Sequence, residues 1–260
     1  MDLRLAGRTA IITGASRGIG LATARTLINE GVHVVGAARS ITTELKASGA
    51  HTVAVDLSTS DGARHLVNTA LNKLGHLDLV VNNVGGGEHV AMGGFLDTDD
   101  NGWQRTIDLN LFAAVRVTRY ALPSLLERRG VVVNVSSIGA RMPATGPIEY
   151  NAAKAALTSF TTSLSEEFGP RGLRANTVSP GPVRTAIWED SDGFGAALAA
   201  ASDTDLTDFL PQVPAAMGMV SDRLTEPEEV AALIAFLASE HAYSIRGADY
   251  LVDGGMDKTA

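Results

Sequence analysis

The segment Thr9-Ala-Ile-Ile-Thr-Gly14-Ala-Ser-Arg-Gly18-Ile-Gly20 decides how this chain folds. Thr9–Thr13 is a short β-branched and apolar run ending at glycine, the pattern of a buried strand. Residues 18–30 follow as a helix, with Ile19, Ala22, Leu27 and Ile28 as packing residues. Strand, glycine turn and helix start let backbone N–H groups and a positive helix end meet a pyrophosphate. Gly14 permits the tight turn; Gly18 and Gly20 let the chain approach phosphate and the helix approach the strand. The spacing is G-x-x-x-G-x-G rather than the more common G-x-G-x-x-G, and a merely flexible glycine loop is the competing reading.

Further strands are expected at residues 33–37, 51–55 and 130–136, with another before Asn82. Strand-like and helix-like segments alternate from Thr9 to about Ser179. That alternation predicts an α/β fold with one doubly wound parallel sheet and helices on both faces. The 260 residues, 45% apolar, contain no Pro/Ser-rich linker and no internal repeat, so residues 1–260 read as a single domain. No apolar run reaches the roughly 18 residues a membrane span needs, and the first residues lack the apolar core of a signal peptide. With no cysteine, disulfides and thiolate chemistry are excluded, and a cytoplasmic location is expected. A net charge of −8 argues against nucleic-acid binding. The six histidines form no i, i+4 pair and no metal site is implied; His89 reads either as an exposed loop residue or as lining an active-site mouth.

Downstream, Ser137 ends the strand-like valine run, and Tyr150 and Lys154 are four residues apart within a helix expected over Ile148–Phe168. Four residues is a little over one turn, so phenol and ammonium project from one face. A free phenol, with a pKa of about 10, exchanges protons poorly near neutrality. A cation within roughly 4–6 Å lowers that value, which would make Tyr150 an acid or base. Ser137 would donate to an oxygen as negative charge builds on it. The alternative is a lysine that covers a ring and reaches for water.

In these motifs the chain resembles the short-chain dehydrogenase/reductase family, from about Leu5 to Gly255. The resemblance is carried by residues 13–20, Asn82-Asn83-Val84-Gly85, Asn110, Ser137, Tyr150, Lys154, Pro180-Gly181 and Val252-Asp253-Gly254-Gly255. It implies a Rossmann-type fold, a nicotinamide cofactor, and interconversion of a ketone and a secondary alcohol. By matching position, Tyr150 is the acid/base, Ser137 positions the carbonyl, and Lys154 binds the nicotinamide ribose and lowers the tyrosine pKa. Asn110 supports a water-linked proton path to Lys154. The implied cofactor set is Gly14, Ser16, Arg17, Gly18, Ile19, Gly20, Arg39, Asp56, Leu57, Asn83, Gly85, Tyr150, Lys154, Pro180, Gly181, Val183 and Thr185. Within it, Asp56 accepts from the adenine amino group, unless it caps the next helix, and Thr185 holds the carboxamide. Val84 stands where the family more often has alanine.

Charge after the second strand bears on the choice of cofactor. Binders of NAD usually place a carboxylate there. Here Ala38 takes the acid's place and Arg39 follows, with Arg17 a second cation in the glycine loop. A guanidinium suits a 2′-phosphate, so NADP(H) is favoured over NAD(H), although Arg39 also reads as a solvated loop residue.

Residues 186–225 are expected to form a substrate lid with short helices at 196–201 and 206–210. In it, Trp188, Phe194 and Met219 either face substrate or pack the lid onto its own domain. In the region 94–126, Trp103, Ile107, Leu111, Val115 and Leu122 form a stripe whose spacing reads as core. Residues 228–237 are a helix capped near Thr225 and Pro227, and Asp249–Val252 is a last strand. A homodimer or homotetramer is what the resemblance implies. The leading reading is an NADP(H)-dependent oxidoreductase on a small carbonyl or alcohol substrate. Its rivals are an NAD(H)-dependent alcohol dehydrogenase of the same family, a non-catalytic NADP(H) sensor, and a dehydratase or epimerase.

Overall fold

The computed structural model describes residues 1–86 and 95–259. Its strands are β1 (Thr9–Thr13), β2 (His33–Ala38), β3 (His51–Ala54), β4 (Leu79–Asn82), β5 (Val131–Val135), β6 (Arg174–Pro180) and β7 (Asp249–Val252). All pair in parallel, in the order β3-β2-β1-β4-β5-β6-β7, within one domain. The connecting helices are α1 (Gly18–Asn29), α2 (Thr43–Ala47), α3 (Ser60–Leu74), α4 (Asp100–Ile107), α5 (Ala113–Arg128) and α6 (Ile148–Phe168). After β6 come α7 (Ala186–Glu189), α8 (Phe194–Ala201), α9 (Leu206–Phe209), α10 (Val213–Ala216) and α11 (Pro227–Ala238). Strand order reverses between β1 and β4, which opens a crevice at the carboxyl ends of those strands.

Period-two alternation supplies both faces of the sheet. Ala10, Ile12, Val34, Val131 and Val133 pack beneath α1 and α11, with Leu27 and Ile234. Ile11, Val35 and Val132 point the other way, onto α3, α5 and α6 through Leu66, Val117 and Leu164. Arg174, buried at the start of β6, donates to the carbonyls of Leu237, Ala238, Ser239 and Ala242 and so caps the end of α11. That helix begins with a Glu226/Glu229 capping box rather than at the expected Thr225.

The middle region departs from expectation. A π-helical turn over Asp108–Phe112 separates α4 from α5. Its wider turn shifts the helical phase. Ala113, Ala114, Val117, Ala121 and Leu125 therefore enter the core; of the expected stripe, Leu122 packs against that core, while Trp103, Ile107, Leu111 and Val115 are left half-buried outside it. The same turn directs Asn110 inward, where it is 1% exposed.

At Gly20, a Cβ would lie 2.1 Å from the Gly14 carbonyl oxygen and 2.6 Å from Asn83 Nδ2. Gly20→Ala should therefore lower stability by at least about 1–3 kcal/mol in urea unfolding, through a lower midpoint at unchanged slope. A loss below about 0.5 kcal/mol, the range of ordinary surface substitutions, would contradict this packing.

Candidate active site

The glycine turn after β1 is fixed from the adjacent strand. Thr13 Oγ1 accepts from the backbone N–H groups of Asn83 and Val84 at 2.9 and 3.0 Å. Asn83 Nδ2 donates to the Thr13 and Gly14 carbonyls, both at 3.1 Å. Gly14 and Gly18 have φ of 65° and 53°, which favours glycine at both. Ser16 ties the loop to the end of β2 by donating to the Ser40 carbonyl, and Thr42 Oγ1 returns a bond to the Ser16 carbonyl at 2.9 Å.

A cleft of about 870 Å³ runs from this turn across the ends of β1, β4, β5 and β6. Along it lie Gly14, Ser16, Arg17, Gly18, Ile19, Arg39, Asp56, Leu57, Asn83, Val84, Gly85, Pro180, Gly181, Val183 and Thr185, with Ser137, Tyr150 and Lys154. Gly20 is behind the wall, as a helix-to-strand contact. Asp56 Oδ1 accepts from the Ser58 N–H at 2.9 Å and does not cap α3, whose cap is Thr59. Thr185 starts α7, its hydroxyl donating to the Val183 carbonyl at 3.3 Å. These contours suit a dinucleotide: a glycine turn where side chains would crowd the wall, a helix N-terminus, and two arginines at one end.

At the other end, Lys154 is 2% exposed and its Nζ donates to the Val135 carbonyl at 2.9 Å. The ammonium lies 5.7 Å from the centre of the Tyr150 ring. A Cβ at Gly85 would fall 2.8 Å from this nitrogen and 2.9 Å from Asn110 Oδ1, so both atoms flank one point on the chain. Asn110 Oδ1 accepts from Gly86 N–H at 2.9 Å, and its amide donates to the Thr106 carbonyl at 3.0 Å. Ser137 Oγ accepts from Gly139 N–H at 3.1 Å and is hydrogen-bonded to the Tyr150 phenol.

The titration of the pair runs against expectation. Burial pushes the Tyr150 phenol above its usual value, with the Ser137 bond opposing it. Burial also brings the Lys154 ammonium down, to about 8. Desolvation outweighs the charge interaction that spacing alone emphasised.

Trp188 and Phe194 both line the cleft and meet edge to face, ring centres 5.5 Å apart. They also pack a small core of the 186–225 segment with Val213 and Leu224, so both readings of these two residues hold. Met219 is not on the cleft wall. Its methyl packs toward Gly254, because the turn at Gly218 carries it across to the C-terminal strand end, and Met217 takes the place on the wall. Glu149, Leu109 and Ile187 line the cleft without a motif to flag them. His89 lies outside the described residues. Among the described residues no cluster of His, Cys, Asp and Glu could hold a metal ion, and no helix is long and apolar enough to cross a membrane.

A family model described as enoyl-(acyl carrier protein) reductase matches residues 14–257. An L-fucose dehydrogenase from Bos taurus is 33% identical over 99% of this chain and 92% of its own length. A 3-oxoacyl-[acyl-carrier-protein] reductase from a Synechocystis strain is 33% identical over 97% of this chain and 98% of its own. The L-sorbose reductase of Gluconobacter frateurii, solved with NADPH and L-sorbose, superposes with a TM-score of 0.91 at 33% identity, covering all of both chains.

The buried ammonium carries a stability cost that depends on pH. The folded-state value is about 8 against 10.5 for the free group, so the cost is full below about 8, fades as pH rises toward 10.5, and is absent above it. Lys154→Met should therefore raise unfolding free energy at pH 7 by roughly 2 kcal/mol, allowing for the lost bond to Val135. The gain should shrink across pH 8–10.5 in denaturant titrations. A gain that is absent or independent of pH would contradict the burial assignment.

Proposed function

The chain belongs to the short-chain dehydrogenase/reductase family, and from that premise we propose an NADP(H)-dependent ketone reductase, working reversibly as a secondary-alcohol dehydrogenase, with Tyr150 as its acid/base. The observation that carries this reading is the meeting of Ser137, Tyr150 and Lys154 at the end of a glycine-turn cleft. When bound, the nicotinamide supplies hydride to a carbonyl carbon or removes it from an alcohol. Ser137 donates to the substrate oxygen as charge develops there. Tyr150 gives that oxygen its proton in reduction and takes it back in oxidation.

At neutral pH the phenol keeps its proton, as the reductive direction requires of a general acid. Lys154 stands beside the ring to offset the phenolate that reduction leaves, and in this reading it also holds the ribose. Asn110, sharing the Gly85 contact with Lys154, fixes the loop after β4 and offers an acceptor for a bridging water through which the phenol is reprotonated. The loop after β6, with Thr185, completes the nicotinamide end, and the 186–225 segment serves as the lid, Trp188 and Phe194 toward substrate.

Preference for NADP(H) rests on Arg39 and Arg17 along the cleft and on Ala38 in place of an acid. The NADPH in the Gluconobacter enzyme supports it. The half-buried stripe on α4 and α5 would be covered in a homo-oligomer.

A panel of ketones and secondary alcohols, run with NADPH/NADP⁺ and NADH/NAD⁺, tests the reading. Tyr150→Phe should lose roughly 10²–10⁴-fold in kcat/KM while still binding cofactor by fluorescence titration. Cofactor binding without turnover by the unmodified protein would favour a sensor. Arg39→Asp should move the NADPH/NADH preference toward NADH by at least about tenfold, and an unchanged ratio would remove Arg39 from the phosphate site.

A further inference from the structure

Charge is distributed unevenly along the cleft. Arg17, Arg39 and Asp56 lie at the glycine-turn end, and at the Tyr150 end the charged lining is Lys154 and Glu149. The Lys154 ammonium is committed to the Val135 carbonyl. Glu149 differs. It stands in the first turn of α6, next in sequence to Tyr150, half-buried, and makes no hydrogen bond or ion pair with any described residue. The lining also carries the apolar side chains of Leu109, Ile138, Trp188 and Met217. A carboxylate is an acceptor only, so what it can receive is a hydroxyl or amine hydrogen.

We propose that Glu149 is a specificity-determining residue that accepts a hydrogen bond from a substrate hydroxyl other than the reacting one. The cleft is thereby directed to neutral, polyhydroxylated ketones and alcohols of the sugar class. The inference rests on the oxidoreductase reading above and narrows its substrate. An acyl thioester on a phosphopantetheine arm brings no such hydroxyl to the carbonyl and carries a phosphodiester past this carboxylate. L-Fucose and L-sorbose, named for two of the relatives, are of the proposed class.

The test compares L-sorbose, cyclohexanone and aminoacetone as oxidants of saturating NADPH, for the unmodified enzyme, Glu149→Gln and Glu149→Leu. The unmodified enzyme should prefer L-sorbose. In Glu149→Leu the ratio of kcat/KM for L-sorbose over cyclohexanone should fall at least about tenfold, carried by KM, with a smaller fall in Glu149→Gln, which keeps one acceptor oxygen. NADPH binding by fluorescence reports whether each variant is folded, and the milder Gln change serves if Leu is not. A ratio within about twofold of the original in both variants, or a preference for aminoacetone that Glu149→Gln abolishes, overturns the proposal. Turnover of cyclohexanone but not L-sorbose by the unmodified enzyme also overturns it and leaves the reductase reading standing. Failure to reduce any of the three with either cofactor removes both.

Discussion

The Lys154 ammonium, taken out of water and held on the Val135 carbonyl, is the constraint to which the rest of the cleft conforms. A buried charge must find partners, and here the end of β5 and the inner face of α6 supply them. Ser136 Oγ donates to the Lys154 carbonyl at 3.0 Å, and two residues earlier Asn134 Nδ2 donates to Thr161 Oγ1 at 2.8 Å. These bonds set the helix in register with the strand, and Tyr150 inherits its place from them. The loop after β4 yields as well, because at Gly85 a side chain would occupy the space of the ammonium.

Strand order supplies the other half of the site. Between β1 and β4 the connections leave in opposite directions, which opens room for a ligand across the strand ends. The glycine turn uses that opening, and Asn83 holds it from beneath through two carbonyls. The cleft carries two arginines at the β2 end and apolar side chains of the 186–225 segment, and it is also lined by Glu149, unpartnered among the described residues and next in sequence to Tyr150. Such a gradient orients an elongated, phosphate-bearing cofactor before any contact at the reacting atoms is made.

Much of this was legible in the sequence where the governing signal is short-range. The bounds of β1, α6 and β7 coincide with those expected, since apolar runs, a proline before α6 and glycines at the ends punctuate them locally. The trio at Ser137, Tyr150 and Lys154 was legible for the same reason: one strand end and one helical turn fix it. What failed depended on phase or environment. A π turn at Asp108–Phe112 has no clear signature, so Trp103, Ile107, Leu111 and Val115 were given the wrong face, while Leu122 does pack against the core. Met219 and Met217 differ only in which side of a turn they leave, and periodicity does not encode that. Glu149 belongs to no motif that would mark it in the sequence. The direction of the Tyr150 shift depends on desolvation, a property of the assembled cleft.

Titration of the Tyr150 phenol tests the central claim most directly. The chain has four tyrosines, so [¹³Cζ]-tyrosine labelling with Tyr150→Phe as the assignment control resolves each ring. The account predicts a value above 10 for Tyr150 in the free protein, raised by burial, that falls when NADP⁺ brings a cationic ring beside it. A value at or below that of an exposed tyrosine in the free protein, or one indifferent to NADP⁺, would contradict it.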